Sequence, residues 1–381
     1  KRYARRSICK EYSYHTLIVI PINMSVHTLC ISILIFIISL GTGNIALAQR
    51  ADSTKKIKLL PLPSVFFTPE TSWAFGVAAL GFYTPKDTFT RKSNAQVFFD
   101  VTLMGQASFQ SDFNIFTKRN SFYFKGSHDL SKFPEFYFGI GNKNIEDDYC
   151  LIDISYFDVK LALYRQLKPD FYLGTLLHHQ NLSSINKSIE QHNFSIGEMG
   201  YSSTGTGLGL LIDKRNHLLN PSKGYYLETK FSKYFDGSHM TRGFSSHTLD
   251  ARYYRSFDKL VLNTNLYTVH NSGTVPFRMM PFLGGPRFMR GYYAGRFRDN
   301  NLSFAQAEVR RKLFWRIGVA AFTGAGQVYN ELNQFNVNRF HFNYGGGLRF
   351  QLNKNSPANI RFDYGRTRDS HGFYIVFGEC F

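Results

Sequence analysis

From residue 73 to the last residue the chain repeats one pattern. Segments of about ten residues alternate apolar and polar side chains and are separated by Gly, Pro, Asn, Asp and Lys. In HFNYGGGLRFQL, Phe342, Tyr344, Leu348, Phe350 and Leu352 share one parity; His341, Asn343, Arg349 and Gln351 share the other. In ANIRFDYGR, Ala358, Ile360, Phe362 and Tyr364 oppose Asn359, Arg361 and Asp363. In KGYYLETKFSKYF, Tyr225, Leu227, Phe231 and Phe235 oppose Glu228 and Lys230. A period of two sends the two sets to opposite faces of a strand.

A soluble sandwich would show the same period. Here the strands are long, the apolar parity is rich in aromatics, and the polar parity carries ionisable groups in strand after strand. The 38 Phe and 23 Tyr exceed the needs of a soluble core, while a mean hydropathy of -0.24 excludes long apolar blocks. A membrane barrel meets these conditions, with lipid on its apolar outside and water inside. Lipid leaves no backbone group unpaired, so the sheet must close.

Sixteen candidate strands can be marked, at 73–83, 94–104, 107–117, 120–128, 134–142, 152–166, 170–180, 205–213, 223–235, 244–257, 259–270, 302–313, 316–329, 341–352, 358–366 and 372–381. The expected fold is all-β: a transmembrane antiparallel β-barrel of about 16 strands, an even number as in bacterial outer-membrane barrels. Upstream, Leu29–Leu40 is an apolar run too short to span a bilayer, which needs about 20 residues. It follows a basic stretch and precedes Ala46-Leu47-Ala48, so residues 1–48 read as a basic n-region and a cleaved signal peptide, with a membrane anchor as the alternative. Residues 49–72 then form a short periplasmic leader and 73–381 the barrel.

The stretch PFLGGPRFMRGYYAGRFRDNN, Pro281–Asn301, is too irregular for a strand and too rich in glycine for a helix. It holds Arg287, Arg290, Arg296 and Arg298 and lies between strands eleven and twelve. The last segment, GFYIVFGECF, puts Phe373, Ile375, Phe377 and Phe381 on one face, interrupted by Glu379. Glu379 is expected near the membrane interface, where a charge costs about 0–1 kcal/mol. Phe377 and Phe381 look like the C-terminal sorting signal of outer-membrane barrels.

GGPRFMRGY, then AEVRRKLF and AAFTGAGQVY, resemble the barrel of the BamA/TamA family, also called the bacterial surface antigen family. LLIDKRNHLLNPSKGYY, YGGGLRFQL and the final Phe add to the resemblance, which covers roughly residues 60–381. It implies a loop folded back into the barrel with Arg290, Gly291 and Tyr292 at its tip. The tip arginine would meet acidic groups of the inner wall. Glu308 and Arg310 match the family's Glu-x-Arg and are the expected lumen-wall partners. The family's acidic position on strand thirteen is Gly324 here, so one partner for the arginine is missing. Arginine's fixed fork could hold a carboxylate bidentately, and Gly291 would permit a tight bend. The other reading of the loop is an exposed basic segment touching lipopolysaccharide.

The resemblance implies a barrel that assists insertion or export of other proteins across the outer membrane of a Gram-negative bacterium. A weak seam between the first strand, Trp73–Tyr83, and the last would admit a client strand. Family members carry POTRA domains before the barrel; none fits here, so a separate periplasmic partner is expected to supply that role. The alternative is a stand-alone pore or structural barrel without clients. The net charge of +18 suits an anionic partner, and the export signal favours lipopolysaccharide and outer-membrane lipid over nucleic acid.

No catalytic chemistry is legible. GFSSH at Gly243–His247 departs from the G-x-S-x-G elbow. His178 and His179 are adjacent and point to opposite faces of a strand, and GSHD at Gly126–Asp129 reads as a hairpin end. Cys150 and Cys380 form no disulfide framework or metal pattern. The chain is therefore expected to be no enzyme, with no metal or cofactor.

Overall fold

The computed structural model describes residues 57–381 apart from 69–71, 144–148, 186–196, 198–199, 237–242 and 354–355. The proposed signal peptide, and residues 49–56 of the proposed leader, lie outside the described residues.

Sixteen strands close into one antiparallel barrel. The first half comprises β1 (Ile57–Thr68), β2 (Ser72–Tyr83), β3 (Ser93–Thr102), β4 (Ala107–Phe116), β5 (Phe122–Tyr137), β6 (Cys150–Lys168), β7 (Phe171–Ile185) and β8 (Tyr201–Asp213). Then come β9 (Gly224–Asp236), β10 (Phe244–Phe257) and β11 (Leu260–Gly273). Two short strands, β12 (Phe282–Leu283) and β13 (Phe297–Arg298), pair with each other inside the long loop. The wall resumes with β14 (Asn301–Phe314), β15 (Ile317–Tyr329), β16 (His341–Asn353), β17 (Ser356–Thr367) and β18 (His371–Phe377). β14 pairs with β11, so residues 274–300 form the loop between barrel strands eleven and twelve.

The burial pattern inverts that of a soluble protein. Leu208, Phe231, Phe342 and Leu348 on the outer parity are more than half exposed. Asp100, Glu228, Asp250, Glu308 and Asp363 on the inner parity are buried. The two-residue turns at 169–170, 258–259 and 315–316 lie at one end, and the longest connections, such as 274–300 and 330–340, at the other. Asp170, Asp258 and Trp315 take positive φ in those two-residue turns (62°, 51° and 48°), as tight hairpins require.

Three expectations need correction. Residues 57–68, placed in a leader, form β1 and pair with β2 along the whole strand. Pro61 and Pro63 disguise this segment, because proline within an apolar run argues against a strand unless the strand lies at an edge. Segments 120–128 and 134–142 are one continuous strand, β5, despite Pro134. The last strand ends at Phe377, not at residue 381. The count of sixteen survives because one strand is gained and two merge.

Candidate functional site

The long loop enters the lumen. Its apolar side chains Leu283, Met289, Tyr292 and Phe297 pack against Leu302, Phe304 and Val328 of the wall. Its four arginines go to different places. Arg287 lies 3.7 Å from Asp250. Arg296 stacks over Phe138, 4.8 Å from the ring centre. Arg298 donates to the Phe277 carbonyl (3.2 Å) and lies 3.8 Å from Glu135.

Arg290, at 1% exposure, reaches deepest. Its Nη1 donates to Asp363 Oδ2 (2.7 Å) and to Glu308 Oε2 (3.0 Å). The guanidinium carbon sits 3.3 Å from the centre of the Phe322 ring. The expected bidentate grip is thus replaced: one nitrogen serves two carboxylates, and the plane stacks on an aromatic face. Asp363 also accepts from Arg349 and Arg361, and Glu308 from Arg349. Fully buried charges are tolerated only in such paired sets.

Backbone contacts complete the lock. Gly291 has φ of 114°, and its N–H donates to the Tyr374 hydroxyl on β18 (2.9 Å). A Cβ at Gly365 would come within 2.5 Å of the Arg290 carbonyl, so the wall is bare where the tip rests. Asn343 donates to the Arg290 carbonyl (2.8 Å). Gly324, where the family has an acid, leaves the space that Asn343 occupies: a Cβ there would lie 2.6 Å from its Oδ1. The second carboxylate is supplied by β17 instead. Asp363 was visible on the polar parity of ANIRFDYGR, but nothing local linked it to residue 290.

Arg310 does not hold the loop tip. It donates to Asn220 Oδ1 (2.8 Å) and to Asn263 Oδ1 (2.8 Å), and it bonds the Pro221 carbonyl. It therefore draws the 214–223 turn into the turn end of the lumen.

The C-terminal residues depart most from expectation. After β18, Gly378 (φ 82°) turns the chain inward. Glu379, expected at the lipid interface, accepts from Arg349 Nε (3.0 Å) and Asn359 Nδ2 (2.6 Å) and lies 3.4 Å from Arg310. Burial pushes its carboxyl up, but Arg310 and Arg349 more than offset this and hold it below the usual glutamate range. Phe381 is buried against Tyr254 rather than facing lipid. Phe377 lies 6.3 Å from Phe98, which shares its parity on β3 with the buried Asp100.

The seam follows from this inward turn. Among the described residues β1 and β18 share one registered pair, Phe67 with Ile375. Antiparallel pairing could continue only through Val376 and Phe377, which stay in the wall beside β17, because the chain turns inward at Gly378. The expected seam at Trp73–Tyr83 is corrected accordingly: β2 is fully paired on both sides, and β1 is the edge.

A closed antiparallel sheet with an apolar outside and an ionic, plugged inside is a membrane-spanning β-barrel. The chain belongs to the Omp85 superfamily, whose domain profile matches residues 77–381. It is an outer-membrane β-barrel of that superfamily, similar in fold to BamA and CdiB. BamA from Haemophilus ducreyi lacking POTRA domains 1–3 matches with a TM-score of 0.53 and 11% identity, over 85% of this chain and 70% of that one. CdiB from Acinetobacter baumannii matches with 0.56 and 16%, over 85% and 60%. CdiB from Escherichia coli matches with 0.56 and 12%, over 86% and 64%. The chain thus spans less than two thirds of either CdiB. At these identities the likeness is one of fold. No curated protein matches the sequence.

Proposed function

We propose that this barrel assists the insertion or export of other proteins by offering the edge of β1 to a client strand. The observation that carries the reading is the seam, with one registered pair among the described residues and the inward turn at Gly378. An unpaired strand edge is a template for β-augmentation. Pro61 and Pro63 remove donors from β1, which limits indiscriminate pairing. The loop lock and the tail steady β17 and β18, so that β1 is the side free to move. A separate periplasmic protein is the expected source of client delivery. The plug inside the lumen favours this reading over a permanently open pore.

The test is a disulfide across the seam. Phe67→Cys with Ile375→Cys, in a background lacking Cys150 and Cys380, should close it on oxidation. Clients are identified first by outer-membrane proteomics after depletion, as proteins that fall while their transcripts hold steady. Oxidised protein should then fail to restore them, and reduction should rescue it. An unchanged proteome after depletion, or full activity of the locked barrel, overturns the proposal.

A further inference from the structure

The outer wall at the loop end of β16, β17 and β18 carries cations that no part of the lumen lock uses. Arg366 is exposed on the lipid-side parity of β17, between the buried Gly365 and Thr367. Its cross-strand partners are Tyr344 on β16 and His371 on β18, both exposed. Directly opposed residues bring their side chains within contact of each other. Arg368, 93% exposed, stands in the connecting turn. The acid that faces this group is Asp369, itself 63% exposed and 3.7 Å from Arg368. Among the described residues Arg366 and His371 make no ion pair.

The level of this cluster in the wall is set by rings. Tyr364 and Phe373 are a registered pair, one outward position further into the wall than Arg366 and His371. Phe67 lies 6.1 Å from Phe373 and 5.4 Å from Trp73, extending the band across the seam. Aromatic girdles mark the membrane interface of a barrel. The cations stand just beyond the girdle on the loop side, which is extracellular in such barrels. That is the depth of lipid headgroups in the outer leaflet.

The turn that presents them is held in place. Ser370 N–H donates to Thr367 Oγ1 (2.9 Å), Thr367 Oγ1 donates to the Ser370 carbonyl (3.0 Å), and Ser370 Oγ donates to the Gly291 carbonyl (2.9 Å). The inward loop therefore braces the turn from behind.

We infer that Arg366, Arg368 and His371, with Tyr344 beside them, bind the phosphate of a phosphorylated glycolipid in the outer leaflet. Arginine's planar fork matches phosphate oxygens, and the neighbouring tyrosine offers a ring face to a sugar. The site lies beside the seam, so bound lipid would border the place where β1 parts from β18. The inference rests on the outer-membrane reading.

The experiment uses the full chain reconstituted in phosphatidylethanolamine vesicles doped with bisphosphorylated lipid A or with its dephosphorylated form. Native mass spectrometry after detergent extraction reads the lipid retained. Phosphorylated lipid A should be retained at least ~tenfold over the dephosphorylated form. The triple variant Arg366→Gln, Arg368→Gln, His371→Gln should lose that preference. The control Lys118→Gln, Arg119→Gln, at the turn end, should keep it. All five positions are on the surface, so the variants should fold. Equal retention of the two lipids, or an unchanged preference in the triple variant, overturns the assignment. Failure of the wild-type chain to enter vesicles overturns the membrane reading and the site with it.

Discussion

Arg290 and Asp363 stand 73 residues apart in the chain, yet Arg290 Nη1 lies 2.7 Å from Asp363 Oδ2 inside the barrel. The contact ties the loop between β11 and β14 to β17, next to the strand that borders the seam. Loop position and seam geometry are therefore linked through one buried ion pair.

Removing one partner of a buried pair leaves the other charge uncompensated, at a cost of about 3–5 kcal/mol. Arg290→Ala should lower the temperature at which the folded barrel loses its heat-resistant gel mobility. Arg290→Lys should rescue little, because an ammonium cannot both stack on Phe322 and reach two carboxylates from one plane. Wild-type heat resistance in both variants would show that the lock is dispensable.

Glu308 and Asp363 share Arg290 and Arg349, so their effects should not add. In a double-mutant cycle with Glu308→Gln and Asp363→Asn, the coupling should be about 0.5–3 kcal/mol. Asp363→Asn should be the more damaging single change, because its third partner, Arg361, lies at 2.9 Å, whereas that of Glu308, Arg310, lies at 4.0 Å. Strict additivity in chemical unfolding would refute the shared network.

Gly365→Ala should displace the loop tip even though residue 365 has ordinary strand geometry, because its Cβ would meet the Arg290 carbonyl at 2.5 Å. Gly346 on β16, whose added Cβ meets nothing closer than 3.3 Å, gives the comparison. Limited proteolysis within residues 281–301 should rise for Gly365→Ala and not for Gly346→Ala. Equal cleavage of the two would argue against close packing of the tip.

Glu379 gives the tail a pH dependence. Its carboxyl titrates below the ordinary value of 4.5 in the folded chain. A depressed acid contributes stability that is complete above the unfolded pKa and is lost as pH falls through the folded one. Tail docking should therefore be constant near neutrality and weaken only below about pH 4.5. Glu379→Gln should flatten that acid limb and, at pH 7, speed thiol labelling of the buried Cys380. Slow labelling in the variant would mean that Phe381 and Tyr254 hold the tail without the ion pairs.

Backbone exchange should expose the seam directly. Amides of β1 on its free edge should exchange faster than those of β3, which is paired on both sides. Matching protection along β1 and β3 would mean that the edge is covered.

Much of this architecture is legible along the chain. Alternation is a local property, and lipid outside with water inside converts it into two faces without reference to any distant residue. Strand positions from β6 to β17, the place of the long loop and the candidacy of Arg290 and Glu308 follow from short stretches of sequence. β1 escaped because Pro61 and Pro63 break the local rule, and only an edge position makes them acceptable. Strand parity misplaces Glu379 because the alternation stops at Gly378, where the backbone turns.

The amino-acid order by itself determined a closed barrel of amphipathic strands with a cationic loop, since strand period and membrane solvation act residue by residue. The tertiary structure decided which carboxylates meet Arg290, that Arg310 grips the 214–223 turn, and that the tail leaves the wall and opens the edge of β1. Those outcomes depend on barrel closure, which brings strands many residues apart around one lumen. Buried charges there must find partners across that space, because burial without one is too costly.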